Sequence, residues 1–134
     1  MDVQKIVSVV MPVYNEEKYI DKCIRSLLLQ DYPREKMEWI FVDGMSQDCT
    51  VQILQGYAGQ YPELIRIYEN PDKIVPYAMN IGITNAKGKY IVRLDAHTMR
   101  RIIFLSAYII WKIQMQKMLA GWRKLNRTGR SAMR

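Results

Sequence analysis

Ile6 to Val13 is a run rich in β-branched residues with Pro12 near its end, the pattern of a strand buried on both faces. After it, Ile20, Cys23, Ile24, Leu27 and Leu28 recur at the spacing of one helix face. Asn15 is placed to cap that helix, with Glu16 and Glu17 in a first turn whose dipole favours acids. The Asp31-Tyr32-Pro33 break precedes a second short apolar run, Trp39 to Val42, which stops at Asp43. Ser46 or Asp48 can cap a second helix carrying Val51, Leu54 and Tyr57. Leu64 to Tyr68 then reads as a strand, Pro76 to Ala86 as a helix with Gly88 past its end, and Tyr90 to Leu94 as a strand ending at Asp95. The predicted order is β-α-β-α-β-α-β.

Such alternation implies right-handed crossovers and an α/β fold with an open, mostly parallel sheet covered by helices on both faces. Ligands of open sheets bind outside the carboxyl ends of the strands. Three of the four strands end there in polar groups: Tyr14 and Asn15, then Asp43, then Asp95 and His97. These are expected to converge on one crevice.

The 134 residues fit one domain, and an apolar share of 49% with 25% charged residues excludes a disordered or collagenous chain. The longest apolar stretch, Ile102 to Trp111, is half of what a bilayer span needs. Asp2 precedes the first short apolar run, and neither a basic leader nor a small-residue cleavage site is visible, so the expected compartment is the cytoplasm, with the inner face of the membrane as a variant. Cys23 and Cys49 form no framework, and each is expected to be a buried thiol. The net charge of +7 is divided unequally. Residues 1 to 98 hold 11 Lys/Arg against 13 Asp/Glu, whereas residues 99 to 134 hold 9 Lys/Arg and no acid. The basicity belongs to the tail.

No GxGxxG is present, and Gly82 to Lys89 fails the phosphate-loop pattern, because five residues precede Gly88 and Tyr90 stands where Ser or Thr is needed. What the strand ends do supply is carboxylates and one imidazole, a set suited to ribose hydroxyls, base edges and an oxygen-preferring divalent cation. A sugar nucleotide with a metal-bridged diphosphate fits that inventory. Each residue also has a plainer reading: Asp43 can cap the next turn, Tyr14 can pack on the sheet, Glu16 can serve the helix N-terminus, and His97 can be a turn residue.

Four ordered blocks sharpen the choice. Val7 to Glu16 (VSVVMPVYNE), Val42 to Asp48 (VDGMSQD), Asn70 to Gly82 (NPDKIVPYAMNIG) and Gly88 to Thr98 (GKYIVRLDAHT) together resemble the N-terminal half of family 2 glycosyltransferases, most nearly the exopolysaccharide type. The resemblance implies a GT-A (Rossmann-like) nucleotide-sugar-binding half-domain, incomplete at the C-terminus, over residues 1 to 98. It also implies inverting transfer from a nucleotide-sugar donor, a UDP-sugar, to an acceptor saccharide or lipid-linked saccharide. By the family pattern Pro12, Tyr14 and Glu16 lie beside the base, Asp43 contacts uracil or ribose, and Asp95 with His97 occupies the place of the Asp-x-Asp metal motif. Imidazole ligates Mn²⁺ but suits Mg²⁺ poorly, so Mn²⁺ is the expected ion.

The family's general base belongs to a second half, and residues 99 to 134 contain no Asp, Glu or His to replace it. A polypeptide of these residues is therefore expected to bind donor without transferring sugar. The alternative is a non-catalytic module whose basic tail, with Trp111, Trp122, Lys112, Lys117, Arg123 and Lys124, binds nucleic acid or an anionic membrane. Nucleic acid is the less expected partner, and no regular apolar face separates from a basic one in the linear pattern. The tail also reads as the product of a shifted frame beginning near Met99. Taking the third base of each codon with the first two of the next forces apolar residues opposite Phe104, Tyr108 and Trp111, a helical spacing. On that reading, residues 99 to 134 form no independent domain and are expected to be poorly ordered or loosely helical.

Overall fold

The structure, a computed structural model, describes residues 5–96 and 105–132. Its elements follow the order β1 (Val7–Val13), α1 (Ile20–Leu28), β2 (Met37–Asp43), α2 (Thr50–Gln60), β3 (Ile65–Glu69), α3 (Val75–Asn85), β4 (Tyr90–Arg93) and α4 (Leu105–Ala132), with one 3₁₀ turn at Arg34–Lys36. The four strands make one parallel sheet in the order β3-β2-β1-β4. β1 lies inside it, with Val7 opposite both Met37 and Tyr90. This is the open α/β sheet expected from the alternation.

Side-chain alternation splits the core into two layers. Val7, Val9, Met11 and Val13 of β1, with Met37, Trp39 and Phe41 of β2, pack against Ile20, Cys23, Ile24 and Leu27 of α1 and Leu54 of α2. Val10, Ile40 and Val42 point the other way, toward Ala78 of α3. α3 comes close because Gly82 has no side chain: a Cβ there would stand 2.4 Å from Cγ1 of Val10. Gly88 serves similarly, since its Cβ would lie 2.6 Å from the backbone nitrogen of Ser8.

β2 begins two residues earlier than the apolar run suggests because Glu38 is buried with partners. It accepts from the Ser8 hydroxyl, from the Lys87 amide and from the Arg66 guanidinium, which also donates to the Asn85 carbonyl at 2.7 Å. Burial alone would raise the Glu38 pKa, but the bonds from Ser8 and Lys87 and the Arg66 charge hold it below the usual value. The cluster ties the α3–β4 turn to the amino ends of β1 and β2.

Two expectations are corrected. Asn15 does not cap α1, which starts at Ile20 after Tyr19; Asn15 instead turns the chain in the left-handed region, φ 49°. Cys23 is buried, and its thiol is pushed up to about 12 by burial, then by Glu16. Cys49 is exposed, because it sits at the α2 N-terminus above the sheet. The tail is helical where it is described. Residues 105–132 form one 28-residue helix whose Ile109 is buried in the α1/α2 layer, with Tyr108 and Ile113 packed beside it. Leu, Met, Gln, Lys and Ala fill much of it, and these straight-chain residues and Ala favour helix without tertiary help.

Candidate functional site

The loops that leave β1, β2 and β3 at their carboxyl ends are stitched together by side chains, among them Asn15 and Ser46, which the linear pattern marked as caps. Ser46 Oγ accepts from the Asn15 amide at 2.8 Å, and Asn15 Oδ1 accepts from the Gln47 amide at 2.8 Å. Thr50 Oγ1 accepts from the Glu16 amide at 2.8 Å. The Asn70 amide donates to the Asp43 carbonyl at 2.7 Å, and its Nδ2 donates to the Ile74 carbonyl at 2.9 Å. Asn15, Met45 and Lys73, one residue in each loop, hold positive φ angles of 49°, 67° and 64°. Such strain persists only where the surroundings over-determine the backbone.

Those loops and the end of β4 enclose a crevice of about 320 Å³. Pro12, Tyr14, Glu16 and Asp95, all expected there, line it. Asn70, Lys73 and Arg93 line it too, and sequence reasoning did not single them out. Asn70 is buried, and its Oδ1, itself closed to solvent, has no hydrogen-bond partner among the described residues. Lys73 and Arg93 bring positive charge to a wall that also holds Glu16 and Asp95, a mixture suited to a diphosphate and a bridging cation. Arg93 Nη2 lies 3.4 Å from Asp95 Oδ1, with both side chains about half exposed, a weak pair that a ligand can separate.

Asp43 is placed differently. Only 2% exposed, it stands beneath the crevice rather than in its lining, and its carboxylate accepts from the Ser46 amide at 3.0 Å and the Ser46 hydroxyl at 2.5 Å. It thus shapes the loop after β2 in this structure. His97 lies outside the described residues. Among those described, no cluster of three metal-ligating side chains occurs. Of the two expected metal ligands only Asp95 is described, and it lines the crevice together with the carboxylate of Glu16, oxygen donors of the kind a divalent ion takes. A larger depression of about 450 Å³ near Lys5, Arg34, Tyr61 and Glu63 lies at the amino ends of the strands, the wrong end for a ligand of this sheet.

A parallel sheet in this order, with a crevice of mixed charge over its carboxyl ends, is the donor-binding half of a GT-A fold, and the comparisons agree. The sequence model of glycosyl transferase family 2 matches residues 8–99, and the chain belongs to that family. A dolichyl N-acetyl-alpha-D-glucosaminyl phosphate 3-beta-D-2,3-diacetamido-2,3-dideoxy-beta-D-glucuronosyltransferase of Methanococcus voltae is 39% identical over 92 residues, 68% of this chain and 29% of that protein. The mannosyltransferase PcManGT of Pyrobaculum calidifontis, solved with GDP-Man and Mn²⁺, superposes with a TM-score of 0.63 at 31% identity, over 70% of this chain and 28% of that one. Staphylococcus aureus TarS 1-349 with UDP-GlcNAc gives 0.60 at 29% identity, over 68% and 26%. The chain spans less than a third of the length of the curated relatives it matches. No described helix is long and apolar enough to cross a membrane.

Proposed function

We propose that the crevice binds a UDP-sugar donor for inverting transfer in polysaccharide synthesis, with a divalent cation, Mn²⁺ rather than Mg²⁺, at Asp95. The observation that carries this is the convergence of Tyr14, Glu16, Asn70, Lys73 and Asp95 on one crevice at the carboxyl ends of the strands in a family 2 chain. Tyr14 offers an aromatic face for the base. Lys73 and Arg93 would meet the phosphates, and Asp95 would hold the ion. When bound, the ion neutralises charge on the departing diphosphate. His97 is proposed as a further ligand, and its imidazole is the reason for preferring Mn²⁺. Asp43 is proposed to reach uracil or ribose by exchanging its bonds to Ser46 for bonds to the donor. The acceptor, a saccharide or lipid-linked saccharide, and a cytoplasmic site of action are proposed from the family alone.

Calorimetry and thermal denaturation with UDP and Mn²⁺ test the reading. Ligand at 100 times its dissociation constant stabilises the fold by about 2.7 kcal/mol. Asp95→Ala is expected to abolish the Mn²⁺-dependent part, and a folded protein that shows no shift at millimolar UDP and Mn²⁺ refutes donor binding. Because no Asp, Glu or His follows His97, a polypeptide of these 134 residues is expected to hydrolyse donor slowly at most, and robust glycoside formation by it would overturn that expectation.

A shifted reading frame is our proposal for the origin of residues 99–134, supported by the family match ending at residue 99 and by the loss of every acid beyond Asp95. DNA around codons 97–100 tests it: the proposal requires another frame there that encodes acidic residues, and fails without one.

A further inference from the structure

α4 leaves its most apolar side in water. Trp111, Met115, Met118, Trp122 and Leu125 follow one another at intervals of 4, 3, 4 and 3 residues, so at 3.6 residues per turn they form a single stripe about 21 Å long. Trp111 is 51% exposed, Met118 60%, Trp122 63% and Leu125 71%. The residues that meet the sheet lie on the opposite side: Ile109 is buried, Ile113 packs on the core, and Gln116 Nε2 donates to the Ile91 carbonyl at 2.9 Å. Lys117 sits over the ring of Tyr90, the first residue of β4, so the helix from Met118 onward runs past the start of that strand. Both the stripe and the overhang face solvent.

Charge decides what covers the stripe. Helical geometry puts Lys112 and Arg123 on one flank and Lys117 and Lys124 on the other, with Arg127 behind, and residues 99–134 hold no acid at all. A second copy laid against the stripe would bring lysines and arginines of both helices together with nothing to neutralise them. An anionic bilayer offers the complement to both features at once. Tryptophans sit at the boundary between headgroup and acyl chain, while long basic side chains reach back to the phosphates.

We propose that α4 is a membrane-surface helix: the stripe from Trp111 to Leu125 inserts into an anionic bilayer, and the flanking lysines and arginines pair with lipid phosphates. This surface is a property of the polypeptide, independent of the donor crevice and of how the reading frame arose.

The test is co-sedimentation of the full chain with vesicles of phosphatidylglycerol and phosphatidylcholine, against phosphatidylcholine alone, with tryptophan emission as a second readout. Binding to the anionic vesicles with a blue shift is expected, weakening as salt rises. Arg123→Gln, on the flank of the stripe, is expected to lower partitioning about fivefold, and Arg127→Gln, behind it, is expected to lower it less. The pair Met118→Ser and Trp122→Ser is expected to remove the blue shift and most of the binding, with helix content by circular dichroism unchanged. Trp122→Phe should keep most of it. Equal partitioning into neutral vesicles overturns the proposal. So does binding insensitive to the serine pair, as does RNA binding that survives the serine pair while vesicle binding is absent. Self-association that the serine pair dissolves, without lipid binding, assigns the stripe to a second copy and overturns it as well.

Discussion

The sheet body and α4 are both regular structure, yet they are held by different forces. In the body, Val7, Val9, Val10 and Met11 of β1 and Met37 and Trp39 to Val42 of β2 are buried, and strand-end amides and carbonyls are tied across the sheet, with Ile6 donating to Lys36, Gly44 to Val13 and Asn70 to Asp43. In α4, Ile109 is the one buried hydrophobic residue among those described, Ile113 packs on the core beside it, and Trp111, Met118, Trp122 and Leu125 point outward. The body's elements exist because they pack on each other, whereas a 28-residue helix of good helix formers sustains itself by length and propensity. Regularity of backbone is therefore no measure of integration into a core. Resemblance to relatives tracks the packing, since the family match covers the body and stops at residue 99.

Paired substitutions break or sharpen this contrast. Trp39→Ala empties a fully buried site and is expected to cost about 4 kcal/mol in urea denaturation. Glu38→Ala, which leaves Arg66 without its buried partner, is expected to cost about 3 kcal/mol. Its pH signature is distinct. The folded pKa of Glu38 is lowered, so its contribution is complete above the ordinary value of 4.5 and is lost as pH falls through the lower folded value. Glu38→Gln should flatten that acid limb, and melting curves from neutral pH downward with an unchanged limb would show that other carboxylates control it. Gly82→Ala forces α3 away from Val10 and is expected to cost about 2 kcal/mol. Trp122→Ala is expected to change stability in solution by less than about 0.5 kcal/mol, although it removes as large a side chain as Trp39→Ala does. A loss at Trp122 comparable to that at Trp39 would mean that α4 is part of the core after all.

Hydrophobic period made the body legible. The β-branched run of β1 and the Ile20–Leu28 stripe predict their elements because burial on two faces or one face leaves a periodic trace. The ends were harder. Asn15 has the chemistry of a cap, but its Oδ1 is engaged by the Gln47 amide, a partner 32 positions away that no local rule exposes. Glu38 fell outside the apolar run from Trp39 to Val42, and its partners Ser8, Arg66 and Lys87 meet only once the sheet forms. At the site, the place of Asp95 was readable from its position after a strand, whereas Asp43, which also closes a strand, lies outside the crevice lining and is bound to Ser46. Asn70, Lys73 and Arg93 were missed because ordinary polar residues become a wall only by convergence, although all three lay inside the family-like blocks. The α4 stripe was overlooked for another reason: Trp, Met and Leu at alternating spacings of 4 and 3 are interleaved with lysines in one dimension and separate only around the helix.

The placement of β4 bears on how the chain is made. β1 pairs with β2 some 30 residues later, but its other side waits for Tyr90–Arg93, which is translated more than 80 residues after Val7. Until then a nascent chain exposes a row of unpaired amides and carbonyls along an almost wholly apolar strand, a template for pairing with a neighbouring chain. Polypeptides stopped before residue 90 are expected to aggregate, and inclusion of Tyr90–Arg93 is expected to relieve it, so the strand order sets how long that edge stays open during synthesis.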